Sequence, residues 1–451
     1  MKKVPVVRDF VLVFLRNYLG DSIAYFERLQ QRYGDIFGKR LKGVDYFFLC
    51  HPTHAEHVLS KNQDNYRKHP PFGNALAPFL GTNNLLTTND LPQWKRDRDL
   101  CKTAFEADVY FEDYASKVTR RLKQALDNWQ KLYASKHTLC PVGPELDKIA
   151  VENINETIFH DVDIDAEELT TVSPTVLSLA IKKLTSVTGL PWILPSRTRR
   201  NYEKAAKRLG QLKRRAVLSR LSKGKDYDDL LGTLLADYGV TEEGSASFQQ
   251  VANQAIFFNI AGYTSTTSAF RWIILTLATN REVAEGVAAE VRAVVDGGVP
   301  VYNQLERLPY TRAVVMETLR LHPPLTYLGR EIIGDDEIDG YDLPAGSTLL
   351  LNISAIQRHR DYWSDPQVFN PARFFNKPYG QDYQFAYLPF GAGKRACLGK
   401  NFALLELIIA TAMLGGRFEF ELPPGFRLTR RFIASVFVRP NLDHVLIRER
   451  R

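Results

Sequence analysis

Cysteine is scarce and unpatterned in this chain. Cys50, Cys101, Cys140 and Cys397 lie far apart among 451 residues, with no CxxC pair. That excludes a disulfide framework and a zinc knuckle, and it fits a reducing, cytoplasmic setting. Long apolar runs are equally scarce near the N-terminus. Only 10–15 is continuously apolar, and Arg8 and Arg16 bracket it. A membrane span needs about 20 such residues. No small-residue cleavage site follows, so an amphipathic opening helix is expected rather than a signal or a transmembrane anchor. No Gly/Ser-rich or Pro-rich linker, low-complexity tract or internal repeat interrupts the chain. Length alone suggests about two or three domains, but without a linker a single domain over 1–451 is the better expectation. Neither charge sign dominates. The net +8 is moderate for this length and does not imply nucleic acid. It suits an acidic protein partner or the anionic groups of a cofactor.

Helical patterning covers 21–33, 52–60, 113–132, 145–160, 281–296, 310–321 and 404–414. The segment 248–280 is long, mostly apolar and poor in charge, as a buried helix would be. Strand-like pieces at 43–50, 337–342 and 347–353 are short and scattered. The expected class is mainly α with small β-sheets (α+β). His51, His54 and His57 are spaced along one side of a helix, which reads as a polar face rather than a metal site. Between Arg197 and Lys223 there are eleven Lys or Arg and one acid, Glu203, behind the apolar loop 190–195. A solvated helix face behind a pocket-covering loop is favoured over peripheral membrane contact, because the loop is short.

One segment points to chemistry. Cys397 closes the run Phe390-Gly391-Ala392-Gly393-Lys394-Arg395-Ala396-Cys397-Leu398-Gly399, just ahead of an apolar helical stretch. Glycines, cations and a helix start around a thiol favour its ionisation, and thiolates attack electrophiles or bind metals. Three more motifs accompany it: Glu317-Thr318-Leu319-Arg320, Phe369-Asn370-Pro371-Ala372-Arg373-Phe374 and Trp94-Lys95-Arg96-Asp97-Arg98. Singly, a Glu-x-x-Arg pair is a surface ion pair of little worth, and a Trp with an Arg one turn on is packing. Their order and joint occurrence with the cysteine loop are specific.

Together they resemble the cytochrome P450 superfamily from about Tyr33 onward, and the soluble bacterial members in particular. The loop matches the family's haem-binding signature at Phe390, Gly391, Gly393, Arg395, Cys397 and Gly399. The resemblance implies the P450 fold, with haem b (iron protoporphyrin IX) buried between the long helix and the cysteine loop. Cys397 would be the axial ligand, since a thiolate pushes electron density onto haem iron and favours O–O cleavage. Gly391 and Gly393 would aim backbone N–H groups at the sulfur, Gly399 would let backbone approach the porphyrin, and Phe390 would shield the thiolate. Trp94, Arg98, Arg395 and Arg330 would meet the haem propionates. Glu317, Arg320 and Arg373 resemble the family's buried structural network.

The long helix departs from the family pattern. In 261–267 (Ala-Gly-Tyr-Thr-Ser-Thr-Thr), Thr264 stands where the family has an acid and Ser265 where it has an alcohol. Ala261 and Gly262 should open space for dioxygen. Ser265, with Thr264 and Thr266 as further candidates, would relay protons. Phe257, Phe258, Ala261, Leu325, Thr326, Tyr327 and Ser435 resemble pocket-lining positions. A neutral aromatic lining suits an apolar lipid, terpenoid or polyketide. The implied activity is monooxygenation with O2 and a separate donor, a ferredoxin or a flavodoxin/reductase, docking near Lys394, Lys400 and the Trp94 helix. The missing acid keeps oxidative coupling, desaturation, ring formation and isomerisation open.

Overall fold

The structure, a computed structural model, describes residues 2–106, 108–160, 162–185, 196–224, 228–295, 299–376, 383, 385–433 and 437–450. Helices dominate, and the central one runs Phe248–Thr279 for 32 residues, buried along nearly its whole length. Its sequence carries a single charge, and that charge is neutralised. Arg271, 1% exposed, places both terminal nitrogens 2.8 Å from Asp147 and donates to the Gly143 carbonyl at 2.7 Å. A buried guanidinium is tolerated only with such partners.

Helix ends follow their local chemistry. Asp21 caps Ser22–Tyr33 by accepting from the Ala24 N–H at 3.1 Å. Pro309 opens Pro309–Leu321 at a position where its missing N–H costs nothing, and Pro323-Pro324 follow its end. Helix Lys400–Arg417 starts directly after Gly399 and packs its apolar face into the main core.

The largest sheet has five strands in the order Ile36–Leu41, Val44–Leu49, Thr348–Asn352, Tyr327–Ile332, Tyr66–Lys68. The first pair is a hairpin whose turn residues, Lys42 and Gly43, both have positive φ (50° and 82°), the geometry that matches strand twist. Val44–Leu49 and Thr348–Asn352 pair in parallel; the other neighbours are antiparallel. Register sets Lys68 opposite Arg330. A three-stranded sheet (Leu139–Cys140, Val445–Glu449, Phe418–Glu421) and two two-stranded sheets complete the β structure among the described residues.

The mainly-α reading with small sheets holds. Sequence patterning misses the helices Pro70–Leu80, Ala166–Thr185 and Leu230–Asp237. Pro78 and Pro174 lie inside two of these, and the third has only eight residues. The opening helix Val11–Leu19 is amphipathic as expected: Phe14 is buried while Phe10, just ahead of it, and Leu12 are exposed. The basic stretch forms Arg197–Ser222, with Ala205, Leu209, Leu212 and Val217 buried along one face. Its apolar neighbour 190–195 lies outside the described residues. Among the described residues no helix is long and apolar enough to cross a membrane.

Candidate active site

A cavity of about 520 Å³ lies between the central helix and the segment Leu388–Gly399. Of the residues singled out above, Trp94, Arg98, Phe257, Phe258, Ala261, Ser265, Thr266, Leu325, Tyr327, Arg330, Phe390, Arg395, Cys397 and Gly399 all line it. These positions are scattered through the chain, and folding brings them to one space.

The cysteine loop is held by its backbone. Gly391 and Gly393 have φ of 66° and 69°, where a side chain is strained. At Gly393 a Cβ would also sit 1.8 Å from the Leu59 carbonyl oxygen, so no other residue fits. The Cys397 N–H donates to the Phe390 carbonyl at 2.8 Å and the Ala396 N–H to Gly393 at 3.0 Å, closing the turn. The donor that reaches the sulfur is the Gly399 N–H. This corrects the expectation for Gly391, whose N–H is used on the Leu388 carbonyl at 3.0 Å.

Cys397 is exposed, but its accessible face opens on the cavity. Burial pushes its thiol up, against the Gly399 N–H and the positive fields of Arg98 and Lys400. A readily ionised free thiol was the expectation, and desolvation by the surrounding protein outweighs the local sequence effects. The site suits a thiolate that a metal cation stabilises, not a free nucleophile. Cys50, Cys101 and Cys140 are buried, and burial raises all three thiols.

Cations gather on one rim. The Arg395 guanidinium sits 4.5 Å from the Trp94 ring and Arg98 sits 5.6 Å from the same ring. Arg395 donates to the Thr88 carbonyl at 3.2 Å, but its Nη1 is buried without a partner. Arg330 is 7% exposed and donates only to its own neighbour's carbonyl, Gly329, at 2.9 Å among the hydrogen bonds resolved. Burial lowers both arginines to about 10, helped by mutual repulsion with the next cation along. Lys68 and His69 join them. Burial and the fields of Arg330 and Arg395 depress Lys68, and burial brings His69, whose Nε2 has no partner, down to about 4. Sequence reading missed both, and the signal was only the strand register that sets Lys68 beside Arg330. No described residue lining the cavity is an Asp or Glu. Buried like charges with unpartnered donors need an anion, and a ligand with two carboxylates, such as haem, fits them.

Behind the loop, Glu317 and Arg320 are both fully buried and paired through two 2.7 Å bonds. Arg320 also donates to the carbonyls of Gln357, Pro366 and Val368 at 3.0, 2.9 and 3.2 Å. Arg373 reaches Glu317 at 3.4 Å, and the Asn370 N–H donates to the same carboxylate at 2.8 Å. The three residues named from sequence thus meet at one carboxylate.

The facing wall is sparser. The Ser265 hydroxyl donates back to the Ala261 carbonyl at 2.9 Å, leaving its lone pairs toward the cavity. Thr264 does not line the cavity. It turns to the far side of the helix, into a small void shared with Asp147, Tyr263, Thr267 and Arg439. One residue step on a helix is about 100°, enough to carry Thr264 off the face that bears Ser265. Thr266 does face the cavity. Gly262 opens less space than expected, because a Cβ there would lie 2.5 Å from Ile154 Cδ1, so the glycine serves close helix packing. Thr326 is fully buried and off the cavity wall. Ser435 lies outside the described residues. On the outer surface, exposed Lys394 pairs with Asp64.

The cytochrome P450 family model matches residues 10–447. Cyclooctat-9-en-7-ol 5-monooxygenase of Streptomyces melanosporofaciens is 28% identical over 424 residues, covering 91% of this chain and 89% of its own. Cyclooctatin synthase of the same organism is 28% identical over 404 residues (88% and 86%). Putative cytochrome P450 132 of Mycobacterium tuberculosis is 28% identical over 462 residues (92% and 93%).

Proposed function

The chain belongs to the cytochrome P450 family, haem-dependent oxidoreductases that use O2 and a redox partner, and from that premise we propose that it is a haem-b monooxygenase working as one domain over 1–451. Its substrate class is an apolar small molecule of lipid, terpenoid or polyketide type. The observation that carries this reading is the cavity itself: Cys397 on one wall, a cationic rim, and an apolar remainder built from Phe257, Phe258, Leu325 and neighbouring side chains. A relative named for the 5-monooxygenation of cyclooctat-9-en-7-ol, an unsaturated alcohol by its name, supports the same substrate class.

When bound, the haem supplies the activation of dioxygen at its iron. The chain's own residues do the rest. Cys397 ligates through Sγ, with the Gly399 N–H stabilising its negative charge. Arg98, Arg330 and Arg395, with Lys68 and His69, hold the propionates, which also relieves their mutual repulsion. Phe390 keeps water from the sulfur. On the facing wall Ser265 accepts a hydrogen bond from water and passes a proton toward the cavity, with Thr266 beside it. Thr264 takes no direct part. An acidic ferredoxin or flavodoxin docks on the face bearing Lys394, Lys400 and the exposed lysines of Leu91–Glu106, with the Lys394 charge already offset by Asp64.

Reductant-dependent O2 uptake, driven by an apolar compound that shifts the haem spectrum, tests this reading. A product heavier by one oxygen atom supports it. The absence of any carboxylate among the described residues of the cavity wall favours a second reading, a non-hydroxylating reaction such as coupling, desaturation, ring formation or isomerisation. A product that gains no oxygen would decide for that alternative.

A further inference from the structure

His51, His54 and His57 do not act as one face. His54 turns to Asp339 at 2.7 Å and His57 to Asp336 at 2.9 Å. His51 turns the other way, to a segment distant in sequence. Its Nε2 lies 3.8 Å from Asp361 Oδ2, and His359 Nδ1 lies 3.8 Å from that same oxygen. The two rings stand edge to face with centroids 4.5 Å apart. The three ligand atoms all fall within 4.8 Å of one another, and among the described residues no other group of His, Cys, Asp or Glu does so.

We propose that His51, His359 and Asp361 bind one divalent transition-metal ion of the zinc type, apart from the haem site. Two imidazoles and a carboxylate are the donor set that zinc takes, with water in the fourth position. Each ring has an outer acceptor for the proton that binding displaces from the site. His359 Nε2 lies 3.3 Å from Asp35 Oδ2, so its proton sits there; Nδ1 accepts from the Asp361 N–H at 3.3 Å, a long bond that the ion would displace. A carboxylate behind a histidine is the usual support of a zinc-bound imidazole. In the metal-free ring His51 Nδ1 accepts from the Thr53 N–H at 3.2 Å, so the proton sits on Nε2; binding of the ion moves it to Nδ1, where the Thr53 hydroxyl, 2.7 Å away, accepts it.

A plain ion pair explains the geometry less well. At 3.8 Å neither nitrogen is hydrogen-bonded to the Asp361 carboxylate, whose side chain is 72% exposed, yet both lie at that same distance from one oxygen. Zinc–ligand distances of about 2.0–2.2 Å put neighbouring ligand atoms about 3.3 Å apart. Closure by roughly half an ångström brings in the exposed Asp361, and the two nitrogens, which lie within 4.8 Å of each other, close by at most about 1.5 Å. The ion would clip the end of strand Val44–Leu49 to the turn that follows Gln357, and Gln357 holds the Leu388 N–H at 2.7 Å ahead of the cysteine loop.

The test is calorimetric titration of chelator-treated holoenzyme with ZnCl2, with metal content measured after dialysis. Wild type should bind one zinc per chain saturably and gain thermal stability from it. Asp361→Asn should weaken binding at least tenfold, and His51→Gln should abolish both effects while the haem spectrum stays unchanged. No saturable binding to wild type overturns the proposal. So does binding that survives in both variants, since the zinc then sits elsewhere.

Discussion

The two walls of the cavity differ in how completely their polar groups are tied down. On the cysteine wall, the loop's turn and the network behind it are bonded: the Cys397 and Ala396 N–H groups, Glu317, Arg320 and Arg373 all have named partners, and only the rim cations await an anion. On the central-helix wall, among the described residues, Ser265 bonds only to its own helix and no carboxylate is present. A tied wall fixes a cofactor. A sparse wall leaves proton traffic to water and substrate, so its variants should change the outcome of the reaction and not the integrity of the protein.

Breaking the cysteine wall should give the largest effects. Cys397→Ser should abolish the red-shifted reduced carbon monoxide spectrum and all turnover; a retained thiolate-type spectrum would refute the ligand assignment. Glu317→Ala strands Arg320 in the core, at a cost of about 3–5 kcal/mol. Its yield of haem-loaded protein should collapse, and normal haem content in that variant would refute the network's role.

A third effect comes from the helix behind the loop. Glu406 is 1% exposed, with Asn153 donating to it at 2.6 Å. Burial raises its carboxyl to about 7. A carboxyl whose folded pKa lies above its unfolded one favours folding when protonated. Its contribution is therefore fully present below about pH 4.5, is lost as pH rises toward 7, and stays lost above that. The shift corresponds to about 3 kcal/mol. Glu406→Gln should stabilise the protein at pH 8 far more than at pH 5, in denaturant melts at the two values. An equal change at both would mean that Glu406 is charged in the fold.

The facing wall should respond more gently. Ser265→Ala should lower turnover by about 10²-fold, the scale of one lost proton-transfer group, with haem content unchanged. Thr264→Val should barely alter turnover, because its side chain points away from the cavity. If Thr264→Val proves the more damaging of the two, the assignment of the walls is reversed.

Legibility followed sequence distance. The cysteine loop could be read because its requirements, two glycines with positive φ and a cysteine, fall within ten residues. Helix positions were readable wherever a core supplies a clean apolar stripe, as in Phe248–Thr279, and failed for Pro70–Leu80 and Ala166–Thr185, where an internal proline argues against a helix that packing nevertheless supports. The departure at Thr264 was visible as a missing acid, but not its direction.

The sequence by itself therefore determined the cofactor loop, the Glu-Arg-Arg partners and the family, because these rest on residue types at short or characteristic spacing. Only the tertiary structure decided which cations complete the rim, which alcohol faces the cavity, and that burial overrides the local field at Cys397. Strand register carries Lys68 to Arg330, helix phase carries Thr264 away, and desolvation depends on everything packed around a thiol. Each of these is a property of neighbours distant along the chain.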